Sequence, residues 1–132
     1  MINVQRYLRT TYQQGARGPD QYDCWGLVRE VLAEHFNVPG EHIPAFGHVP
    51  DRKAELTKCK DQIQHHFIKG DPQPGAIACH VRRGILFHVG VVIAFNDGLA
   101  VLHTRNRLGP AVDSLSKFNL LNVTEYYSHQ TG

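Results

Sequence analysis

The chain has 132 residues, a length typical of one domain that buries a hydrophobic core without disulfides or metal ions. Lysine and arginine total 14 against 12 for aspartate and glutamate, and no basic block is longer than Arg82-Arg83, which excludes an extended nucleic-acid-binding face. No apolar run approaches the roughly 18 residues of a membrane-spanning helix, and residues 1–7 lack the apolar segment of a secretion signal. We therefore expect a single soluble domain over residues 1–132, with no nucleic-acid partner and no membrane insertion.

Two helices are predicted in the first third of the chain. Apolar residues at helical spacing predict the first from Asn3 to about Tyr12. The second begins after Asp23 and ends near residues 37–40, because apolar side chains recur on one of its faces. These side chains are Leu27, Val28, Val31, Leu32 and Phe36.

A long loop and a third helix are predicted next. Residues 37–50 are rich in proline and glycine and have few periodic apolar residues, which indicates a surface loop of the kind that often carries function. Asp51 is placed to cap a helix that runs to about Phe67. The cluster of turn residues from Gly70 to Gly75 follows this helix.

The second half of the chain predicts an antiparallel sheet. Short loops at residues 82–84 and 96–98 join the predicted strands as hairpins, and a turn of helix is predicted at residues 114–118. Because helices come first and hairpin-connected strands follow, we expect the α+β class, with the N-terminal helices packed on the sheet. The predicted strands are 76–81, 85–95, 99–104, 111–112 and 123–127.

Cys24 is the candidate nucleophile, because it stands where a loop becomes the second helix. The first turn of a helix presents unpaired N–H groups and the positive end of the helix dipole, which favour a thiolate over a thiol and can hold an oxyanion. Gly26 supports a special role for this turn, since glycine is unfavourable within a helix unless a close approach requires it. The sequence therefore predicts a reactive thiol at Cys24.

His88 is the candidate general base, because imidazole titrates near neutral pH and can take the thiol proton. His88 is expected to pair with the strand 76–81, and His103 lies on the strand after the turn at residues 96–98. The two histidines are not directly opposite, but a diagonal contact would bring His103 to the far nitrogen of His88. His103 would then fix the tautomer and orientation of the base, as the third member of a triad does.

The other cysteines and several histidines have a less specific interpretation. Cys59 and Cys79 are expected to be buried apolar residues, and an odd number of cysteines without a C-x-x-C motif argues against disulfides. A zinc site is disfavoured because its candidate ligands include two pairs of adjacent residues, and adjacent side chains on a helix or strand point in divergent directions. Its members would be Cys59, His65, His66, Cys79 and His80.

Four arginines near the predicted strand ends leave two interpretations open. Their guanidinium groups would either bind an anionic substrate or be solvated charges on loops, and the second is the more common case. They are Arg82, Arg83, Arg105 and Arg107.

Four motifs of the chain resemble those of the NlpC/P60 peptidases. They are Tyr22-Asp23-Cys24-Trp25-Gly26-Leu27-Val28, Gly70-Asp71 with Pro74-Gly75-Ala76-Ile77, His88-Val89-Gly90-Val91-Val92 and Leu102-His103. The motifs occur in the family's order and span roughly residues 1–127. The Asp-Cys-Trp-Gly-Leu-Val version is especially similar to the tail-assembly members of bacteriophages and prophages.

The resemblance implies a papain-like fold with a circularly permuted topology and a triad of Cys24, His88 and His103. It implies peptidoglycan as substrate, cut in the stem peptide between D-glutamate and a diamino acid without a metal or an organic cofactor. Tyr22 and Asp23 would line the substrate cleft or the oxyanion site. Trp25 is the third expected substrate-binding residue. It stands where many cell-wall members carry a substrate-contacting serine, so their stem-peptide specificity does not transfer directly.

The absence of a signal peptide and of SH3-like or LysM-like modules fits a phage tail component, or an effector that other machinery delivers to the periplasm. The alternative is a structural protein of the tail tip or of tail assembly, in which the site is vestigial or processes a tail protein. A third possibility retains the catalytic residues for acyl transfer or for an amidase reaction.

Overall fold

Short helices and a six-stranded antiparallel sheet form the computed structural model, which describes residues 2–44 and 60–130. The expected combination of N-terminal helices with an antiparallel sheet is confirmed. In chain order the elements are α1 (Val4–Leu8), β1 (Thr11–Tyr12), β2 (Gln21–Tyr22), α2 (Cys24–His35), a 3-10 turn (Gly40–His42), β3 (Phe67–Gly70), β4 (Ile77–Arg82), β5 (Ile85–Phe95), β6 (Gly98–Arg105), β7 (Gly109–Ser114), α3 (Leu115–Phe118) and β8 (Val123–His129).

The large sheet has the order β3-β8-β4-β5-β6-β7, and every neighbouring pair is antiparallel. The hairpin of β5 and β6 pairs Val91 with Leu102, and that of β4 and β5 pairs His80 with His88. Phe87 is an extra residue at an irregularity beside the second pair, because Val81 pairs with Leu86. This register determines which side chains of β5 and β6 can meet.

Three predicted element boundaries are wrong. The first helix ends at Leu8, and Tyr12 lies in β1, which pairs in parallel with β2. Phe67 begins β3 instead of ending a helix, and Pro110 lies within β7, which is an edge strand where a missing N–H costs no ladder bond.

The predicted helix from Asp51 and the second half of the predicted loop at residues 37–50 lie mainly outside the described residues. Residues 60–63 are helical, and the 3-10 turn falls inside the predicted loop. Among the described residues, the helices are too short to cross a lipid bilayer.

Helix α2 packs its apolar face on β5 and β6. Leu27, Val28, Val31 and Leu32 are fully buried there, as their spacing predicts. They join the core with side chains from the facing side of the sheet, among them Val89. This packing fixes the first turn of α2, and with it Cys24, against the backbone of β5.

Replacing Gly26 by alanine is expected to destabilise the domain. A Cβ atom at this position would lie 2.3 Å from the carbonyl oxygen of Ala16, so the loop before α2 would have to move. Overpacking of this kind costs about 1–3 kcal/mol. Urea unfolding should show this loss for Gly26→Ala and little change for the control Gly40→Ala, whose added Cβ meets no atom within 4 Å. Equal stability of the two variants would show that this close approach is not constrained.

Candidate active site

Asp23 fixes the start of α2 and so positions Cys24, the first residue of the helix. One carboxylate oxygen of Asp23 accepts hydrogen bonds from the Gly26 N–H and the Arg17 guanidinium, both at 2.7 Å, and the other accepts from the Gly15 N–H at 2.9 Å. A capping carboxylate of this kind satisfies orphan N–H groups of the first turn. Because its oxygens are engaged within the protein, Asp23 acts here as a helix cap.

The sulfur of Cys24 lies against the backbone of β5. The backbone N–H groups of Val89, Trp25 and Cys24 itself lie near enough to the sulfur to favour its thiolate form. Val89 directly follows His88 on β5, so the sulfur lies beside the strand that carries the predicted base. No hydrogen bond joins the Cys24 sulfur to the His88 ring within residues 2–44 and 60–130, and contacts between catalytic groups commonly tighten only when substrate binds.

The Cys24 thiol is protonated at neutral pH. Burial, and then the negative charge of Asp23, raise its pKa to about 11, against the opposing effect of the three N–H groups. The N–H groups of the first turn favour the thiolate, as expected, but burial outweighs them and the thiol stays protonated. The cause is that Cys24 packs against the hydrophobic core, where the charged form loses its hydration.

His88, His103 and Asp113 form a continuous hydrogen-bonded chain. The Nε2 atom of His88 lies 2.8 Å from Nδ1 of His103, and Nε2 of His103 lies 2.8 Å from Oδ2 of Asp113. His103 is 4% exposed and Asp113 is 9% exposed, so the second bond is shielded from water. The predicted diagonal contact between the two histidines is present, while their catalytic roles remain a prediction.

Gly90 leaves the space that His103 occupies. A Cβ atom on Gly90 would lie 2.5 Å from Cγ1 of Val101 and 2.9 Å from Cβ of His103. Any larger residue here would push β6 away from β5 and disturb the contact between His103 and His88. The glycine of the His88-Val89-Gly90 motif thus has a structural reason in this chain.

Phe118 of α3 covers the two histidine rings. Its ring centroid lies 4.9 Å from that of His103 and 6.0 Å from that of His88. His80 stacks on the same ring at 3.9 Å, and its Nε2 atom is bonded to the Phe118 carbonyl oxygen at 2.7 Å. Phe118 therefore shields one side of the hydrogen-bonded His88 and His103 rings from water. His80 is bonded to the backbone of Phe118 and so helps to hold it in place.

The imidazole rings of His88 and His103 are both neutral at pH 7. Burial, and then the unfavourable electrostatic effect of His103, His80 and Arg105 on an added proton, lower the pKa of His88 to about 3. Burial also holds the pKa of His103 below its ordinary value, although Asp113 opposes this shift. Burial acts to raise the pKa of Asp113, but the hydrogen bond from His103 and the nearby Lys117 ammonium outweigh it and keep that pKa low. The ground state is thus a carboxylate, two neutral imidazoles and a neutral thiol.

Two predicted substrate-lining residues lie in the core instead. Tyr22 is 1% exposed and Trp25 is 7% exposed, which leaves almost no surface for a bound peptide to contact. The indole N–H of Trp25 donates to the carbonyl oxygen of Pro44 at 2.7 Å and so ties that segment to α2. The substrate-contacting role predicted for Tyr22 and Trp25 is not supported, because both rings fill the interface around the first turn of α2.

Asp113 is a site residue that the sequence interpretation missed. The predicted strand ended at Val112 and the predicted helix began at Ser114, so Asp113 fell between two elements. In the structure β7 runs to Ser114 and pairs Asp113 with Val101, two residues from His103. An acidic residue inside a strand that borders the His103 strand was the available signal.

The remaining predicted residues are dispersed. Cys79 is fully buried, as predicted, and Cys59 lies outside the described residues. Within the described part of the chain, histidine, cysteine and acidic side chains form no group of three or more arranged to hold a metal ion. Of the four arginines, Arg105 lies near enough to lower the pKa of both site histidines, whereas Arg82 lies over the Phe87 ring.

A cleft of about 770 Å³ is present, but it is remote from these residues. Its lining includes Phe36 and Phe95, and Phe95 lies at the opposite end of β5 from His88. Phe95 lies seven positions along the strand from His88, which corresponds to roughly 23 Å. We therefore place the candidate chemistry at Cys24 and His88 and not in this cleft.

The pH dependence of Cys24 alkylation follows from the raised pKa. Iodoacetamide reacts with the thiolate, so its rate with Cys24 in the free protein should rise continuously from pH 7 to pH 10, toward a pKa of about 11. Peptide mapping of the labelled protein separates Cys24 from the other thiols. A rate that is already constant between pH 5 and pH 7 would instead reveal a thiolate paired with an imidazolium.

The solved structure of NlpC1 from Trichomonas vaginalis has a similar fold. The two chains are 19% identical, with a TM-score of 0.59 over 96% of this chain and 41% of the other. The chain thus spans about two fifths of the length of the protein it matches, and at this identity the likeness concerns the fold. No protein-family profile and no curated protein matches the sequence.

Proposed function

We propose that the chain is a cysteine peptidase that hydrolyses an amide bond of a peptidoglycan stem peptide. The observation that carries the proposal is the meeting of Cys24, at the first turn of α2, with the strand that holds His88. His103 and Asp113 hold the far side of the His88 ring. A nucleophile, a base and groups that orient the base are the parts that amide hydrolysis by a thiol requires.

The reaction proceeds in two stages. His88 removes the thiol proton as the Cys24 sulfur attacks the scissile carbonyl, and the resulting imidazolium gives that proton to the leaving amine. The product of this stage is a thioester on Cys24. Water then attacks the thioester with His88 again as base, and the acid leaves while the thiol is restored. The N–H groups around the sulfur stabilise its charge during the transfer.

The proposed substrate class rests on the motifs and on the fold. The Asp-Cys-Trp-Gly and His-Val-Gly motifs resemble those of NlpC/P60 peptidases, and the structural neighbour carries the NlpC name. We extend this to a papain-like, circularly permuted topology and to a place in a phage or prophage tail, where local hydrolysis would open the wall. Peptidoglycan peptide and other tail proteins are the proposed partners, and delivery to the periplasm by the tail is the proposed route.

Mass spectrometry of defined muropeptides tests the proposal. Folded, reduced protein should convert a muropeptide with a complete stem into two fragments whose masses differ from the substrate by one water in total. The bond position distinguishes an endopeptidase from an amidase, and a product with an exchanged acyl group would indicate acyl transfer. Unchanged muropeptides and unchanged sacculi would contradict the proposal.

A second candidate is a structural tail protein with a vestigial site, or one that processes a tail protein. The observation that favours it is the raised pKa of Cys24 together with the lack of a direct bond to His88. Muropeptide cleavage by native protein and by the variant His88→Gln separates the two. A peptidase should cleave the muropeptide as native protein and lose this activity in the variant, whereas a vestigial site should give no cleavage with either protein.

A further inference from the structure

We propose that Asp113 is a positioning residue that sets the tautomers of His103 and His88, so that Nδ1 of His88 is the atom that receives the Cys24 proton. The inference rests on the proposed peptidase function for its consequence in catalysis. Its structural basis is the chain of two 2.8 Å hydrogen bonds from His88 through His103 to Asp113.

The Asp113 carboxylate determines which atoms donate and which accept in the two hydrogen bonds. An ionised carboxylate only accepts hydrogen bonds, so the atom that faces it must carry a proton. That atom is Nε2 of His103, at 2.8 Å from Oδ2 of Asp113. The other oxygen of Asp113 faces the Lys117 ammonium at 3.4 Å, which helps to keep the carboxylate ionised.

The tautomer of His103 then determines that of His88. A neutral imidazole with a proton on Nε2 has a lone pair on Nδ1, and this Nδ1 can only accept. The facing Nε2 of His88 must therefore donate. With its single proton on Nε2, neutral His88 has a free lone pair on Nδ1, which is the nitrogen that His103 does not engage.

The same chain stabilises the charged base. When His88 takes a proton, its Nε2–H continues to donate to His103, and His103 continues to donate to the negative charge of Asp113. Buried hydrogen bonds that run in one direction polarise and strengthen one another. This stabilisation offsets part of the burial that lowers the pKa of His88. Asp113 reaches the reacting atoms only through His103.

The variant Asp113→Asn tests the assignment, and Lys117 makes its outcome specific. The ammonium near Oδ1 favours an amide that turns its oxygen toward Lys117 and its NH₂ group toward His103. His103 Nε2 must then accept, its Nδ1 must donate, and the proton of neutral His88 must move from Nε2 to Nδ1. The geometry is kept while the base loses its lone pair.

Nitrogen NMR of ¹⁵N-histidine-labelled protein measures these tautomers without any hydrolysis. We expect His88 to be protonated on Nε2 in the native protein and on Nδ1 in Asp113→Asn. A native His88 protonated on Nδ1, or the same tautomers in both proteins, would overturn the proposal. The variant Asp113→Ala, in which His103 loses its acceptor, provides a second measurement if the asparagine variant does not fold; unchanged tautomers in it would also overturn the proposal.

Kinetics supply the catalytic consequence. Asp113→Asn should lower kcat for muropeptide hydrolysis by about 10²-fold with little change in KM. This loss is smaller than the roughly 10⁴-fold loss seen when the replaced carboxylate is bonded directly to the base, because His103 lies between Asp113 and His88. In the background of His103→Ala, the same substitution should have no further effect on kcat, whereas independent effects would overturn the proposal. Native protein without hydrolytic activity would contradict the proposed function, while the NMR measurement would still decide the role of Asp113.

Discussion

Replacing Cys24 by alanine is expected to abolish muropeptide hydrolysis, with a loss of at least about 10⁴-fold in kcat/KM. In the proposed mechanism the sulfur forms the thioester, and removal of a nucleophile generally costs as much as removal of the complete triad. The variant should keep its fold, because Cys24 is only partly buried and the helix cap at Asp23 is retained. Product formation by mass spectrometry and the thermal unfolding midpoint are the two measurements.

Two matched variants make the result specific to this thiol. Cys79→Ala removes a fully buried sulfur on β4, the strand that pairs with β5. This variant should retain hydrolysis, with a modest loss of stability from the cavity. Cys24→Ser keeps the shape of the site but replaces the thiol with a far weaker nucleophile, and should be nearly inactive. Full activity of Cys24→Ala would assign the chemistry to another residue.

The substitution His88→Ala has the second largest expected effect, a loss of about 10³-fold or more in kcat. The neutral thiol needs a base at neutral pH, since its pKa of about 11 leaves very little thiolate. Raising the pH should partly restore hydrolysis in the variant, because hydroxide then supplies the deprotonation that we propose for His88. Rate measurements from pH 7 to pH 10 test this recovery.

Comparison with two neighbouring histidines tests the assignment of the base. His103→Ala should only reduce hydrolysis, since the proposed role of His103 is to orient the base through its contact with His88 and not to receive the thiol proton. His80→Gln should have the smallest effect, because His80 is bonded to the Phe118 carbonyl and not to the chain of His88. Loss of activity at His80 with full activity at His88 would contradict the assignment.

Because the Cys24 thiol and the His88 ring are neutral in the free protein, we expect the thiol to be activated only after substrate has bound. A thiolate paired with an imidazolium would be reactive before substrate arrives, whereas a neutral thiol is a poor target for alkylating agents and oxidants. In the proposed mechanism the thiol becomes a nucleophile only when His88 takes its proton beside the scissile carbonyl. The low pKa of His88 also makes its imidazolium a strong acid, which suits the protonation of a leaving amine.

Much of the fold could be predicted from the sequence where one signal dominated. The apolar stripe of α2 and the hairpin turn at residues 96–98 determine their elements almost alone, and β5 has the predicted bounds. The contact of His88 with His103 followed from counting residues on either side of that turn. These are local patterns, and local patterns are what a sequence displays directly.

The rest depended on packing that no local pattern records. The reactivity predicted for Cys24 considered the helix dipole but not the burial that outweighs it. Tyr22 and Trp25 flank the nucleophile in sequence, but the side chains of neighbouring residues point in different directions. Both rings are buried in the core. Asp113 meets His103 only through the register of β6 and β7, which a two-residue predicted strand could not define.

Covalent trapping of the reaction intermediate tests the central claim most directly. Native protein mixed with a muropeptide and quenched in acid should carry an acyl group on Cys24, seen as a mass increase on the tryptic peptide that contains it. Hydroxylamine should remove this group, as it does for a thioester. An acyl group on another residue, or hydrolysis that proceeds without any adduct on Cys24, would contradict the account.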